Sequence, residues 1–522
     1  MESFLSTCID YGSCGYMAGG VPLPLKNEAP CVVLSPDEAS DDDTPRFQKA
    51  LDVAAATAVK EGKRSTVLVQ PGVYRIRQGT LRFSKSNVLL LGALDAKGQP
   101  PVLQVSGPPR TLITITGNGV KPKEDAQKRR PILTTPSAAH LVPRAGTCTL
   151  AVPHHDFRPG DAVVLTRPCT PGFVARLGMD KLSRNGQKQT WLCPTTHTFR
   201  YERTLVAVRP DEVTLDVCLP ESLDDPTDIT TFTFPGRVQQ VGIALLAFHY
   251  MDHAQYDTSL KAPQMLLVQL VSAQDCFLSH LHTHGFGGQV SIDGNSKQIT
   301  VQSCVFHHGA LQNNEDRGLP AEVSISGSQI LIKDCQTLGK GWQTFCVCTQ
   351  ARCMGPNAVV HYVADGPRHI IAPHQRWATG LLVDQCRVQN LSFMNRGVMG
   401  SGHGWTSAFC KSVFFQSCTK RHAVRVRRPA AHAPLFSLSF FFFPYRDLLS
   451  ACVSSRCVGT AWNGEFGSLL IESPPGTYNA AIGCSGHLDP KSRGILLHHG
   501  QKIDNVPSLY RYFLHRAGKQ VV

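Results

Sequence analysis

A short pattern recurs through the second half of the chain: an aliphatic or β-branched run, one or two polar residues, and then a cysteine or tyrosine. The repeated position is occupied by Cys276, Cys304, Cys335, Tyr362, Cys386 and Cys418. Spacings of 28, 31, 27, 24 and 32 residues are typical of a solenoid. Because the units are short runs bounded by Gly, Asn and Asp, we expect strands rather than pairs of helices. The pattern therefore predicts an all-β fold, a parallel β-helix with one coil per repeat.

The cysteines of the repeat have a structural explanation. Stacked coils lie about 4.8 Å apart, so equivalent side chains of successive coils lie one above another. Small, weakly polar side chains suit such an interior, and we expect a buried ladder rather than a metal or catalytic site. The chain has 19 cysteines but no Cys-x-x-Cys pair. The spacing of Cys346 and Cys348 is too short for a zinc knuckle, so no structural metal is expected.

Two elements are expected outside the regular repeat. Thr44 as a cap, Pro45 in the first turn and an apolar face with Phe47 and Leu51 predict a capping helix near the N-terminus. The preceding aspartates, Asp41 to Asp43, suit a helix N-terminus better than a metal site. A small inserted β module is the second element. The predicted divisions are an irregular N-terminus at 1–36, the first part of the β-helix with its capping helix at 37–139, the inserted module at 140–235 and the main β-helix at 236–515.

Residues 420–457 depart from the repeat. They contain the run from Leu435 to Tyr445, which is dominated by Phe, Leu, Ser and Pro. These residues are read from pyrimidine-rich codons, so the run is what a translated polypyrimidine tract would look like. We hypothesise a retained intron, with a genuine hydrophobic loop packed on the solenoid as the alternative. An exposed run of this kind would promote aggregation.

Charge and hydropathy narrow the range of partners. The formal net charge is +13, which suits an anionic partner. The chain lacks a zinc finger and a basic tail, so nucleic acid is not expected. Its most apolar run is far shorter than the ~20 residues of a membrane span, and no membrane partner is expected. Residues 1–22 lack the charged and apolar regions of a signal peptide. Either the protein is cytosolic, or it is exported by another route, or its start codon lies elsewhere. Disulfides are expected only if the protein is secreted.

Two late segments combine arginine, histidine, tryptophan and glycine. Residues 373–380 read Pro-His-Gln-Arg-Trp-Ala-Thr-Gly, and residues 395–405 read Asn-Arg-Gly-Val-Met-Gly-Ser-Gly-His-Gly-Trp. They fall in neighbouring units of the repeat, so their turns are expected to form one site. The structural alternative is that the glycines form tight turns, the tryptophans belong to a core, and the arginines pair with Asp365 or Asp384.

Several segments resemble a fungal and bacterial subgroup of the pectate lyase superfamily. The opening of that fold is represented by residues 42–51 and by Gln70-Pro71-Gly72-Val73-Tyr74. The more specific segments are 178–182, 184–186, 189–191, 202–204, 373–380, 395–405, 474–476 and 507–510. The resemblance covers about residues 37–515 apart from 420–457. It implies a right-handed parallel β-helix and a secreted protein that acts on a polysaccharide, although no signal peptide is visible.

Eliminative cleavage of a uronate explains the residue types in the two late segments. A cation must neutralise the carboxylate, a base must remove the adjacent proton, and the leaving oxygen must be protonated. Arg376 and Arg396 suit the first task because guanidinium groups bind carboxylates bidentately. His374 or His403 is the expected base, since imidazole titrates near neutral pH. Some β-helix lyases are understood to use an arginine as base with bound Ca²⁺, and Arg376 is the candidate for that variant. The expected substrate-binding residues are Trp377 and Trp405, stacked on sugars, with Asn395 and Asp384.

Two other functions stay open. Gly402-His403-Gly404 is similar to a polygalacturonase motif, but inverting hydrolysis needs paired carboxylates, for which Asp365 and Asp384 are the candidates. A non-catalytic glycan-binding protein on the same scaffold is the third possibility. Three alternating histidines, His280, His282 and His284, suit either a metal site or stacking between coils. We expect a monomeric lyase with an acidic polysaccharide as its partner. No metal ligands are assigned, and the only cofactor considered is the Ca²⁺ of the arginine-base variant.

Overall fold

The computed structural model describes most of the chain. The residues described are 9–26, 29–253, 265–307, 321–339, 344–364, 366, 369–406, 460–462, 465–474, 479–482, 484–492, 495–497 and 508–520. The hypothesis of a retained intron at 420–457 therefore falls outside the described residues, as do Cys418 and Asp365.

The predicted fold class is confirmed: the chain forms a right-handed parallel β-helix whose coils contribute one strand each to three parallel sheets. The first sheet comprises Val32–Leu34, Ser65–Val69, Val88–Gly92, Val238–Gln239, Lys297–Gln302, Ile330–Lys333, Met354–Val360, Thr379–Asp384, Thr460–Trp462, Ala480–Ile482 and Ile495–Leu497. Two long strands, Gly242–Tyr250 and Ala273–His284, begin in this sheet and continue into the second.

The other two sheets complete each coil. The second sheet comprises Val73–Ile76, Val102–Val105, Val305–His307, Gln336–Leu338 and Val363–Ala364. The third sheet comprises Leu81–Phe83, Thr111–Thr116, Leu266–Val271, Gly288–Ile292, Ala321–Ile325, Thr344–Thr349 and His369–Ile371. Strands Arg387–Phe393, Glu465–Ile471 and Ser485–Leu488 run from the second sheet into the third.

The cysteine ladder lies where the first sheet meets the second. Cys304, Cys335, Tyr362 and Cys386 are all buried, and the residues after them pair in register. Cys276 is buried as well, but it is displaced from this column. It pairs with Ile299, because the strand that contains it continues past the corner. Leu281 occupies the ladder position of that coil, as the pairing of His282 with Val305 shows.

The helix Thr44–Glu61 covers the N-terminal end of the solenoid. Its buried face includes Phe47 and Leu51, as predicted. The residue at its N-cap is Asp43 rather than Thr44, and no side chain caps the helix. The carboxylate of Asp43 instead accepts a hydrogen bond from the backbone amide of Arg75 at 2.8 Å. The aspartates thus tie the helix to the first coils.

An antiparallel module is inserted in the connection between the third and the first sheet. Its strands are Lys123–Glu124, Arg130–Pro131, Thr149–Ala151, Ala162–Pro168, Thr198–Arg209, Glu212–Leu215 and Asp228–Thr233, with a separate hairpin of Ser183–Arg184 and Gln187–Lys188. A disulfide joins Cys148 to Cys218. The module core contains a buried ion pair in which Arg167 donates to Glu221 at 3.1 Å. Because the module leaves from a turn, it lies beside the same turns of later coils.

The first and last described segments of the chain meet on the outer face of the first sheet. Residues 9–25, here called the N-terminal strap, cross that face, where the amide of Tyr16 donates to Thr300 Oγ1 at 2.8 Å. The C-terminal helix Leu509–Arg516 packs on the strap, and Tyr510 donates to the carbonyl of Cys14 at 3.1 Å. The remaining short helices are Tyr16–Ala18, Ala126–Lys128, Ala139–Leu141, Pro171–Arg176, Met179–Lys181 and Met399–Gly402. Within the described residues, no helix is both long and apolar enough to cross a membrane.

Candidate functional site

The two segments predicted to form a site lie in successive turns between the third and first sheets. Residues 372–378 follow strand His369–Ile371, and residues 394–405 follow strand Arg387–Phe393. The two turns are bonded to each other, with the amides of Arg376 and Trp377 donating to the carbonyls of His403 and Trp405 at 3.1 and 3.0 Å. Stacking of coils therefore brings the segments together.

The inserted module fixes the shape of the second turn. Met179 accepts a hydrogen bond from the amide of Trp405 at 3.3 Å, and Trp191 Nε1 donates to the carbonyl of the same residue at 3.2 Å. Gly404 has a φ of 56°, and a Cβ there would lie 2.4 Å from the Trp191 ring. Only glycine allows this close approach in that backbone conformation. Residues more than 200 positions apart thus meet at the site.

The side chains of His374 and His403 form a direct pair. Their Nε2 atoms lie 3.3 Å apart. The Nδ1 atom of His374 lies 3.2 Å from Gln350 Oε1, and that of His403 is bonded to the carbonyl of Met399. Because both Nδ1 atoms face oxygen acceptors, each carries the proton of its neutral ring. The two Nε2 lone pairs therefore point at the same position and can share one added proton.

The surroundings lower the pKa of both histidines of this pair. Burial lowers the pKa of His374 to about 4, assisted by repulsion from Arg396, His403 and Arg376. Burial and the same two arginines lower the pKa of His403, against the favourable effect of the Met399 carbonyl. Both shifts favour the neutral imidazole, the form in which Nε2 has a free lone pair.

Three arginines lie in successive turns of the site, and we call Arg352, Arg376 and Arg396 the arginine column. Arg376 and Arg396 lie beside the histidine pair. Arg396 donates to the carbonyl of His374 at 2.9 Å, and Arg376 donates to the carbonyl and hydroxyl of Ser401 at 2.9 and 3.0 Å. The Arg352 amide donates to the carbonyl of Arg376 at 3.0 Å. Within the described part of the chain, none of the three forms an ion pair with a carboxylate, so their charge is available to an anion.

Two residues of the site were not predicted from the sequence. Gln350 and Arg352 precede His374 and Arg376 by 24 residues, which is the spacing between Tyr362 and Cys386. Aligning the turns by that spacing would have found them, because solenoid turns one repeat apart lie side by side.

The predicted stacking of Trp377 and Trp405 on sugars is wrong. Their exposed fractions are 1% and 8%, and both belong to the core of the module. The Trp377 ring lies 5.7 Å from that of Trp191, and its Nε1 donates to buried Glu221 at 3.1 Å. The tryptophans attach the turns to the module. Because core side chains cover their rings, they cannot stack on a ligand.

Asp384 is likewise misassigned as a substrate-binding residue. It is fully buried and accepts hydrogen bonds from Ser508 Oγ at 2.7 Å and from the amide of Tyr510 at 2.9 Å. Its role is to hold the first turn of the C-terminal helix. Asn395 lies at the edge of the site, where its Oδ1 accepts from the amide of Gly397 at 2.8 Å and shapes the turn.

Of the three alternating histidines, His284 stacks on a histidine of the next coil. The rings of His284 and His307 lie 4.8 Å apart and are nearly parallel, at 12°. Parallel rings at this distance cannot both direct a nitrogen at one ion. Among the described residues, no group of three or more His, Cys, Asp or Glu side chains is arranged to hold a metal.

Comparisons with known proteins give fold-level likeness only. The sequence matches no family model, and it matches no curated protein. One similar solved structure is the Gp54 tailspike of Acinetobacter baumannii bacteriophage AP22 in complex with A. baumannii capsular saccharide. The two chains share 8% sequence identity with a TM-score of 0.36, and the alignment covers 88% of this chain and 66% of the tailspike. The alginate lyase of Paenibacillus sp. str. FPU-7 has 8% identity and a TM-score of 0.33, over 86% and 96% of the two chains.

The tailspike of E. coli bacteriophage HK620 in complex with a pentasaccharide has 8% identity and a TM-score of 0.39. That alignment covers 95% of this chain and 60% of the tailspike. This chain thus spans two thirds or less of the length of these two tailspikes. At such identities and TM-scores, neither residues nor activity can be transferred from them.

Proposed function

We propose that the protein is a polysaccharide lyase that cleaves a uronic-acid-containing glycan by β-elimination at the arginine column and the histidine pair. The observation that supports this most directly is the pair of imidazoles beside two arginines, Arg376 and Arg396, that form no ion pair within the described residues. Elimination needs this combination, because a cation must hold the carboxylate while a neutral base removes the neighbouring proton. The resemblance of the same segments to the pectate lyase superfamily agrees with the proposal.

In the proposed reaction, Arg376 and Arg396 bind the uronate carboxylate and stabilise negative charge as the adjacent C–H bond breaks. The proton passes to the Nε2 position shared by His374 and His403. The electron pair forms the C=C bond, the bond to the glycosidic oxygen breaks, and the shared proton passes to that oxygen. The histidine pair is thereby returned to its neutral state, and the products are an unsaturated uronate and a new reducing end.

Substrate binding would also activate the base. The arginines depress the pKa of both histidines while no anion is bound. A bound carboxylate compensates the arginine charge and so raises the basicity of the pair when the substrate is in place. The hydrolase alternative is less well supported, because Asp384 is buried under the C-terminal helix and cannot act as one of a pair of carboxylates at this site.

We further propose that the protein acts outside the cytosol. The disulfide between Cys148 and Cys218 supports this, since such bonds persist in oxidising compartments.

The test is incubation with polymannuronate, polyguluronate, polygalacturonate and polyglucuronate, with and without Ca²⁺, while following the ultraviolet absorbance of an unsaturated uronate. A rise with one polymer that is abolished in Arg376→Ala supports the proposal. Arg209→Ala, an exposed arginine of the module, serves as the matched control. New reducing ends without absorbance would replace elimination by hydrolysis, and the absence of both with retained binding would indicate a binding protein.

A further inference from the structure

A groove of about 450 Å³ lies between the module and the turns that precede the candidate site. We call it the module groove. Its module side includes Glu202, Phe234 and Arg237, and its solenoid side includes Gly294, Ser328 and Arg352. None of these residues has a role in the proposed reaction, and Arg352 belongs to both the groove and the arginine column.

The wall of the groove is polar and fixed. Arg237 Nη1 donates to Glu202 Oε1 at 2.6 Å, and Lys297 forms a second ion pair with the same carboxylate. Arg237 also covers the Phe234 ring, with its guanidinium carbon 4.5 Å from the ring centroid. The ion pairs with Arg237 and Lys297 hold the Glu202 carboxylate in place, so the wall presents both hydrogen-bond acceptors and donors at fixed positions. Such a wall suits hydroxyl groups, which donate and accept at once.

The floor of the groove offers further hydrogen-bonding groups. Ser326 and Ser328 are partly exposed, and their hydroxyls form no hydrogen bond with other described residues. Arg352 donates to the carbonyl of Thr198 at 3.4 Å and has no carboxylate partner among the described residues. Hydroxyls and a cation without an acidic partner match a hydroxyl-rich chain that carries anionic groups.

The groove adjoins the candidate site at Arg352. The turns of residues 326–328, 350–352 and 374–376 belong to successive coils, and the last two are bonded through the Arg352 amide and the Arg376 carbonyl. Neighbouring coils lie about 4.8 Å apart, so the serine turn is roughly 10 Å from the reacting position along the solenoid axis. A saccharide chain parallel to the solenoid axis would therefore occupy both the module groove and the candidate site.

We propose that the module groove binds the sugar units on one side of the scissile bond and selects long acidic polysaccharides over short oligosaccharides. This inference rests on the proposed function for the position of the scissile bond. Because the module forms one side of the groove, it would be the element that determines the substrate length that is preferred.

Gly294 provides a sharp test. A Cβ at this position would have no neighbour closer than 3.8 Å, and its backbone is not in the left-handed region. Gly294→Trp should fill the groove without disturbing the fold, and Gly294→Ala is the matched control. Affinities for short and long oligomers of the four polyuronates would be measured by calorimetry alongside their cleavage. Losing the groove contacts should weaken binding of long oligomers about tenfold or more and leave that of short ones unchanged.

The outcomes separate the two proposals. Equal binding of long oligomers by Gly294→Trp and wild type, or a wild type that binds no polyuronate at any length, would overturn the groove proposal. Selective loss of long-oligomer binding without any unsaturated product would support the groove and refute the lyase. Unchanged unfolding temperature in both variants is the control for folding.

Discussion

The Nε2 atoms of His374 and His403 lie 3.3 Å apart, although their residues belong to different coils. Each ring is oriented by an oxygen acceptor on its other nitrogen, and both oxygens come from turns of the solenoid. The base of the proposed reaction is therefore a property of the stacking between coils rather than of either residue alone.

Replacing His403 should remove most of the activity. We expect His403→Ala to lower kcat by about 10²–10⁴-fold, the usual contribution of a general base. His374→Ala should cost a similar factor, because the shared proton position needs both rings. The measurement is the initial rate of absorbance increase, with His487→Ala, an exposed histidine of another coil, as the control. Full activity in His403→Ala would exclude the pair as the base.

Replacing Arg396 should change the pH dependence as well as the rate. Repulsion by Arg396 lowers the pKa of both histidines. Arg396→Gln removes that repulsion, so the histidines become protonated at higher pH and the acidic limb of the kcat/KM profile moves upward in pH. A limb that stays in place while activity falls would mean that Arg396 binds substrate without affecting the base. Arg209→Gln should leave the profile unchanged.

Trp377 should affect stability rather than substrate affinity. Trp377→Ala would empty a buried volume and leave Glu221 without one of its donors, at a cost of about 3–5 kcal/mol in unfolding free energy. Trp377→Phe keeps most of the ring and should cost less. Denaturant unfolding measures the difference. A raised KM in Trp377→Phe at unchanged stability would restore the tryptophan to the substrate site.

Asp384 should control the docking of the C-terminal helix. Asp384→Ala removes the acceptor of Ser508 and Tyr510, and we expect faster hydrogen exchange in residues 509–516 with a loss of about 1–3 kcal/mol in local stability. Asp384→Asn retains an acceptor, so its rate of hydrogen exchange in these residues should lie between those of Asp384→Ala and wild type. Loss of cleavage without faster exchange would instead support a hydrolytic role for the carboxylate.

The repeat made the solenoid predictable, because the spacing of equivalent cysteines reflects the length of a coil. It did not reveal that Cys276 lies outside the ladder, since strand Ala273–His284 bends from one sheet into the next without a change in composition. Similarly, the sequence placed His374, Arg376, Arg396 and His403 in one site but could not distinguish a buried tryptophan from a binding platform. That distinction depends on two module residues, Trp191 and Glu221, which lie 214 positions from Trp405 and 156 positions from Trp377, respectively.

Solenoids usually lose structure from their ends, because a terminal coil has a neighbour on one side only. Here the hydrogen bond between Tyr510 and Cys14 and the contact of Lys519 with the carbonyl of Gly12 at 3.0 Å join the two ends across the first sheet. The polypeptide is thus closed into a non-covalent ring, and neither end can detach without exposing the other. Removing residues 9–25 should for this reason loosen the helix Leu509–Arg516, and removing that helix should loosen the strap.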